Sequence, residues 1–282
     1  METKAEENRV THASRSQAAV QRGRRTSRSV RYLFDAWPEI VARMRGAESR
    51  ILLLDFDGTL VGLRRRPDDV RLSGRAKKIL QQLVGIEKLS VAIVSGRAFR
   101  TIEALIGVDG IGYVGLHGAE WNGKSIILSK AARRAIGNAK KAAQTELRTL
   151  RGIWIEEKGL SFAVHYRGAR RASVEAADRI LRRIVTPMQG TLRILNGDKV
   201  WEVLPREIPG KGAAVRELLA ESPAGTVAMY FGDDETDEEA FAALPGHVTV
   251  KVGSGLKTRA SYRVSGPAEV LQFLTRLEKQ LR

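Results

Sequence analysis

The feature that most constrains this chain is a rhythm that sets in at Arg50: short apolar runs, each closed by a polar or glycine-rich turn and followed by a helical stretch. Ile51–Leu54 runs into Asp55, Ser90–Val94 into Ser95, and Val227–Phe231 into Gly232. A strand buried on one face alternates apolar with polar residues, whereas an unbroken run is covered on both faces. Such strands separated by helices imply a parallel sheet with helices on both sides, so the predicted fold class is α/β with a Rossmann-like parallel-sheet core.

Between Trp121 and Leu204 the rhythm changes. A long Ala/Lys/Arg helix over Lys130–Leu150 is followed by the runs Ile153–Glu157 and Phe162–Tyr166, a second helix over Arg171–Ile184, and the runs Leu192–Leu195 and Val200–Leu204. Adjacent runs imply antiparallel pairing, with Asn196-Gly197 as a hairpin turn. We therefore expect an inserted α+β cap domain at 122–204, a core split between 48–121 and 205–282, a lead-in helix over 32–47 and a cleft between core and cap. At 282 residues the chain is long enough for two such units.

Residues 1–31 form an arm that holds Arg15, Arg22, Arg24, Arg25, Arg28 and Arg31, with no acidic residue from Val10 onward. It contributes to a net charge of +16, from 48 Lys+Arg against 32 Asp+Glu. Such an arm reads as a solvated tail; the alternative is a contact to nucleic acid or another polyanion. With no cysteine, thiolate catalysis, zinc-thiolate sites and disulfides are excluded. Neither a leader pattern nor an apolar run near the roughly 20 residues of a membrane span is present, so we expect a cytoplasmic protein with no membrane partner.

Ligands of an open parallel sheet gather at the carboxyl ends of its strands. The residues leaving those ends are Asp55-Phe56-Asp57-Gly58-Thr59, Ser95-Gly96-Arg97 and Gly232-Asp233-Asp234-Glu235-Thr236-Asp237. Acids converging on one edge repel one another unless a hard dication sits among them, and Mg²⁺ takes carboxylate oxygens together with phosphate. Mg²⁺ and a phosphate ester are thus implied. Residues two apart leave a strand end on one side, so Asp55 and Asp57 can divide the labour. One carboxylate attacks phosphorus while the other protonates the leaving oxygen and then activates water. Each segment also has a plain reading: Asp57-Gly58 as a turn, Ser95 as a helix N-cap, Lys211 between Gly210 and Gly212 as a solvated lysine, and the acidic run as a helix-initiating cap.

Together the motifs DFDGTL at 55–60, SGR at 95–97, Lys211 and GDDETDEEAF at 232–241, in that order, resemble the haloacid-dehalogenase-like phosphohydrolases. GLHGAE at 115–120, WIEEKGLSFAVHYR at 154–167 and WEVLP at 201–205 are similar to the trehalose-6-phosphate phosphatase family within them. The resemblance covers about 48–275 and implies hydrolysis of a sugar phosphate, with sucrose or glycosyl-glycerate phosphate as alternatives to the trehalose ester. No sugar-transferring domain is attached, so a stand-alone phosphatase is expected. The resemblance further implies Asp55 as nucleophile and metal ligand, Asp57 as general acid/base with its carbonyl on the metal, Asp233 as direct ligand and Asp237 as a ligand through water. Thr59, Ser95 and Lys211 would hold phosphate, and Arg97 would brace the loop. His117, Gly118 and Glu120, at the junction, and Lys158, Ser161, His165, Arg167 and Glu202, in the cap, would meet the sugar. Lys158 and Glu202 read equally as a strand-to-strand ion pair. The run Arg64-Arg65-Arg66 is richer in charge than the resemblance leads one to expect.

Overall fold

The computed structural model describes residues 30–64, 66, 69–255 and 257–282. Residues 1–29 of the basic arm, and with them its polyanion-binding reading, lie outside the described residues. Arg31 belongs instead to a short strand, β1 (Arg31–Tyr32). The lead-in segment is a 3₁₀ turn over Leu33–Ala36 followed by α1 (Trp37–Gly46), with Pro38 in its first turn, where a missing N–H costs nothing.

The core sheet comprises β1, β2 (Arg50–Leu54), β3 (Leu89–Val94), β4 (Gly112–Gly115), β5 (Glu120–Trp121), β6 (Lys124–Ser125), β11 (Val227–Gly232), β12 (Val248–Val252) and β13 (Tyr262–Val264). Their spatial order is β1-β13-β12-β11-β2-β3-β4-β5-β6, parallel except where β5 and β6 turn back at one edge. Because β6 joins this sheet, the transition to the insert falls after Ser125 rather than at 121.

The unbroken run in β2 has the predicted cause. Leu52 and Leu54 pack with Ile40, Met44, Leu80 and Phe273, from α1, α2 (Gly74–Val84) and α8 (Pro267–Leu281). Ile51 and Leu53 point the other way, into Val215 and Phe241 of α6 (Lys211–Ala220) and α7 (Asp237–Ala243). Each buried Leu or Phe side chain contributes about 1.5–3 kcal/mol. In register, Phe231, Leu54 and Ile93 form one row across the sheet, so Asp55, Gly232 and Val94 follow in the next. That alignment brings the three chemistry-bearing turns to one edge.

The insert holds α4 (Lys130–Leu147), β7 (Trp154–Glu157), β8 (Phe162–His165), α5 (Arg171–Val185), β9 (Leu192–Gly197) and β10 (Val200–Pro205). The strands form one antiparallel sheet in the order β7-β8-β10-β9. Phe162, Val164, Trp201 and Val203 pack against α4 and α5 through Ile136, Ala143 and Leu181. The period-2 alternation leaves Trp154, Glu156, His165, Val200 and Glu202 on the opposite face, with Trp154–His165–Val200 and Glu156–Ala163–Glu202 as cross-strand rows. The hairpin turn between β9 and β10 is not at Asn196-Gly197, because both residues pair within β9 and the chain reverses at Asp198-Lys199, with Lys199 at φ 62°. The Asn-Gly signal was displaced by two residues because Val200 pairs with Gly197, extending the ladder past it.

Candidate active site

An open cleft lies between the carboxyl edge of the core sheet and the exposed face of the insert sheet. Core residues Asp55, Asp57, Ser95, Arg97, His117, Lys211, Asp233 and Asp234 line it from below, and Glu156, Lys158, His165, Arg167, Asp198 and Glu202 from above.

Asp55 leaves β2 buried, its backbone N–H donating to Phe231 C=O at 2.9 Å. Lys211, at the first position of α6, donates at 2.8 Å to both Asp55 Oδ1 and Asp237 Oδ1. Burial works against the Lys211 charge, but Asp237 and Asp55 more than offset it, holding the ammonium well above its ordinary range. One lysine does not balance this cluster. Burial, with Asp237, Asp233 and Asp234 nearby, raises the Asp55 carboxyl well above its usual value despite Lys211. Burial beside Asp237 and Asp234 pushes Asp233 up to about 7.

Oxygens of Asp55, Asp233 and Asp237 all lie within 4.8 Å of one another. An all-carboxylate set with a surplus of buried negative charge fits a hard divalent cation. The Asp237 carboxylate is nonetheless crowded: besides Lys211, Tyr230 donates to its Oδ1 at 2.7 Å, and the backbone N–H groups of Asp233 and Asp234 donate to its Oδ2 at 2.8 and 3.0 Å. It organises the turn that presents Asp233. Gly58, at φ 84°, lets the backbone after Asp57 pass beside that turn, since a Cβ there would fall inside the Asp233 carboxylate.

Asp57 is gripped by Arg97 in a two-pronged ion pair, Nε to Oδ2 at 2.6 Å and Nη2 to Oδ1 at 2.7 Å. Arg97 thus ties the second loop to the first. Ser95 Oγ accepts from Arg97 N–H at 3.1 Å, and buried Thr59 donates to Asp233 Oδ1 at 3.3 Å. Leu116 and His117 adopt positive φ values of 44° and 55°, a conformation unfavourable for residues with a Cβ. Bonds from Leu116 N–H to Arg97 C=O (2.9 Å) and from His117 N–H to Ser95 C=O (3.1 Å) hold them, and place the imidazole over Gly96.

The insert meets the core at Glu202. Its buried carboxylate receives Lys158 Nζ at 2.8 Å and Ser161 Oγ at 2.7 Å, and lies 3.1 Å from His117 Nε2. Lys158 also donates to Gly96 C=O at 3.2 Å, across the cleft. Burial opposes the Glu202 charge, but Lys158 and His117 outweigh it and hold the carboxyl far below its ordinary range. His117 Nδ1 is buried with no partner. His165 pairs with Glu156 at 2.7 Å and stacks on Trp154 at 3.9 Å, and Arg167 pairs with Asp198 at 2.5 Å.

Most residues singled out from sequence line this cleft, but five do not: Thr59 and Asp237 are buried behind Asp233 and Lys211, and Glu120, Ser161 and Gly118 stand apart from its wall. Glu120 accepts from Phe99 N–H at 2.6 Å, capping α3 (Phe99–Ile106). Ser161 sits behind Glu202, and Gly118, at φ 98°, packs against Gly210 and Ala214. Glu156 and Asp198 also line the cleft without having been singled out from sequence, and Asp234, named in the acidic run but given no role, joins them. Glu156 was accessible, since it lies two residues from Lys158 and so on the same strand face.

A family model described as trehalose-phosphatase matches residues 53–267. Trehalose-6-phosphate phosphatase of Escherichia coli (strain K12) is 33% identical over 236 residues, covering 81% of this chain and 86% of that protein. Trehalose-phosphate phosphatase of Mycobacterium tuberculosis (strain ATCC 25618 / H37Rv) is 32% identical over 250 residues, 84% of this chain; the chain spans 63% of that relative's length. Among solved structures, the C-terminal domain of Candida albicans trehalose-6-phosphate phosphatase superposes with a TM-score of 0.77 at 22% identity, covering 89% of this chain and 99% of that one, which speaks for the fold. A haloacid dehalogenase-like hydrolase from Bacteroides thetaiotaomicron does so at 0.58 and 13%, covering 82% and 100%.

Proposed function

The chain belongs to the trehalose-phosphatase family, and we propose that it hydrolyses trehalose 6-phosphate to trehalose and inorganic phosphate, in a Mg²⁺-dependent reaction through an aspartyl-phosphate. The observation that carries this reading is the convergence of Asp55, Asp57, Ser95, Lys211 and Asp233 in one cleft, faced by the polar insert residues Glu156, Lys158, His165 and Glu202. The first set suits a phosphate monoester; the second offers donors and acceptors to sugar hydroxyls.

In this mechanism Asp55 attacks phosphorus and the bond to the sugar oxygen breaks. Asp57 gives that oxygen its proton, then takes one from the water that attacks the aspartyl-phosphate, returning Asp55 as a carboxylate. The grip of Arg97 on both Asp57 oxygens must loosen for either transfer. Lys211 holds charge against the phosphoryl oxygens, with Ser95 and Thr59 as hydroxyl partners. Asp55 and Asp233, with the Asp57 carbonyl, would hold Mg²⁺, and Asp237 would support it through the turn it organises. When bound, the ion supplies positive charge against the phosphoryl group and offsets the crowded carboxylates.

The test is phosphate release from trehalose 6-phosphate, sucrose 6-phosphate and a glycosyl-glycerate phosphate, with and without chelator. The expected result is at least a tenfold preference in kcat/KM for the trehalose ester, about 1.4 kcal/mol, abolished by chelator and restored by Mg²⁺. Faster turnover of another ester would reassign the substrate.

A further inference from the structure

Seven carboxylates line the cleft, and a sugar phosphate brings two more negative charges. The cations inside are already committed: Lys211 to Asp55, Lys158 to Glu202, Arg97 to Asp57 and Arg167 to Asp198. Both cleft histidines face glutamates, His117 at Glu202 and His165 at Glu156. Among the described residues one cleft-lining cation makes no such pair. Arg64 is exposed, lies on the loop after β2 beside half-exposed Leu63, and opens the basic run that the catalytic reading leaves unused.

We propose that Arg64 is the substrate-capture residue, an uncommitted positive charge at the cleft that draws the phosphate dianion past the carboxylates and contacts it on the way to Asp55. The inference rests on the phosphatase reading. It follows from the balance of charge: Mg²⁺, when bound, would offset the carboxylates of Asp55 and Asp233, but Glu156, Asp198 and Glu202 also line the way in, and a dianion passing them without such a cation must break an existing ion pair or cross a field of like sign. Arg66, exposed on the same run, does not line the cleft and serves as the control.

The experiment measures kcat and kcat/KM on trehalose 6-phosphate from low to high ionic strength for wild type, Arg64→Gln, Arg64→Lys and Arg66→Gln. Arg64→Gln should lower kcat/KM about fivefold at low salt, leave kcat within about twofold, and flatten the salt dependence, because attraction between exposed charges is screened over about 10 Å at 0.1 M salt. Arg64→Lys should retain the wild-type slope, and Arg66→Gln should match wild type. If Arg64→Gln keeps both the wild-type kcat/KM and its slope, or Arg66→Gln loses as much, the assignment is wrong. A wild type that binds the ester but releases no phosphate overturns the hydrolytic reading instead, and the Arg64 inference falls with it.

Discussion

Replacing Lys158 by Met keeps the apolar stem and removes one charge from the buried junction of core and insert. The side chains of Lys158 and Glu202 are 13% and 9% exposed, so Glu202 would be left nearly dry, with only Ser161 and His117 facing it. Breaking a buried pair by removing one partner costs about 3–5 kcal/mol. At about 2–4 °C per kcal/mol for a chain of this size, the melting temperature should fall by about 6–20 °C. The pH dependence has a definite sign. Glu202 lies below its ordinary value of 4.5 in the fold and Lys158 above its ordinary 10.5. The pair's stabilisation is therefore complete between those values, and is lost as pH falls through the Glu202 folded value or rises past that of Lys158. In Lys158→Met burial is no longer fully offset, the carboxyl moves upward, and protonation relieves it, so the deficit should shrink as pH drops from 7 to 5. The double variant Lys158→Met/Glu202→Gln, with no buried charge at this position, should recover at least half the loss. The assay is thermal unfolding of wild type, Lys158→Met, Glu202→Gln and the double variant at both pH values. A single-variant loss below about 1 kcal/mol, or strict additivity in the double variant, refutes the coupled network.

Glu120→Ala should cost about 1 kcal/mol, the worth of a helix N-cap, and leave kcat/KM within twofold; a tenfold loss of turnover with unchanged melting would return Glu120 to the substrate. Mg²⁺ at a hundred times its Kd should stabilise the protein by about 2.7 kcal/mol in thermal unfolding, and Asp233→Asn should abolish that shift; an equal shift in the variant would place the ion elsewhere.

The parallel core was legible because β2, β3 and β11 are buried on both faces and read as unbroken runs, and the edge chemistry because each run ends in residues with a distinct job. The short strands at the ends of the sheet were not legible: β1, β5 and β6 hold two residues each, too few for any periodicity. Lys158 and Glu202 form the ion pair that one reading offered, and the pair lines the cleft. Of the stretch GLHGAE only His117 lines the cleft, and the Glu120 carboxylate turns instead to the Phe99 N–H at the start of α3. No local pattern announces that turn. Among the described residues no helix is long and apolar enough to cross a membrane.

The central claim is that Asp55 takes the phosphoryl group from trehalose 6-phosphate. The direct measurement is a rapid acid quench of enzyme mixed with ester labelled on phosphorus, followed by digestion and location of the label, for wild type and Asp55→Asn. Wild type should carry the label on the peptide containing Asp55 and release trehalose no more slowly than phosphate, and Asp55→Asn should show neither label nor more than about a tenth of kcat, a barrier increase above about 1.4 kcal/mol. Phosphate release at full rate by Asp55→Asn, or label on a peptide without Asp55, would contradict it.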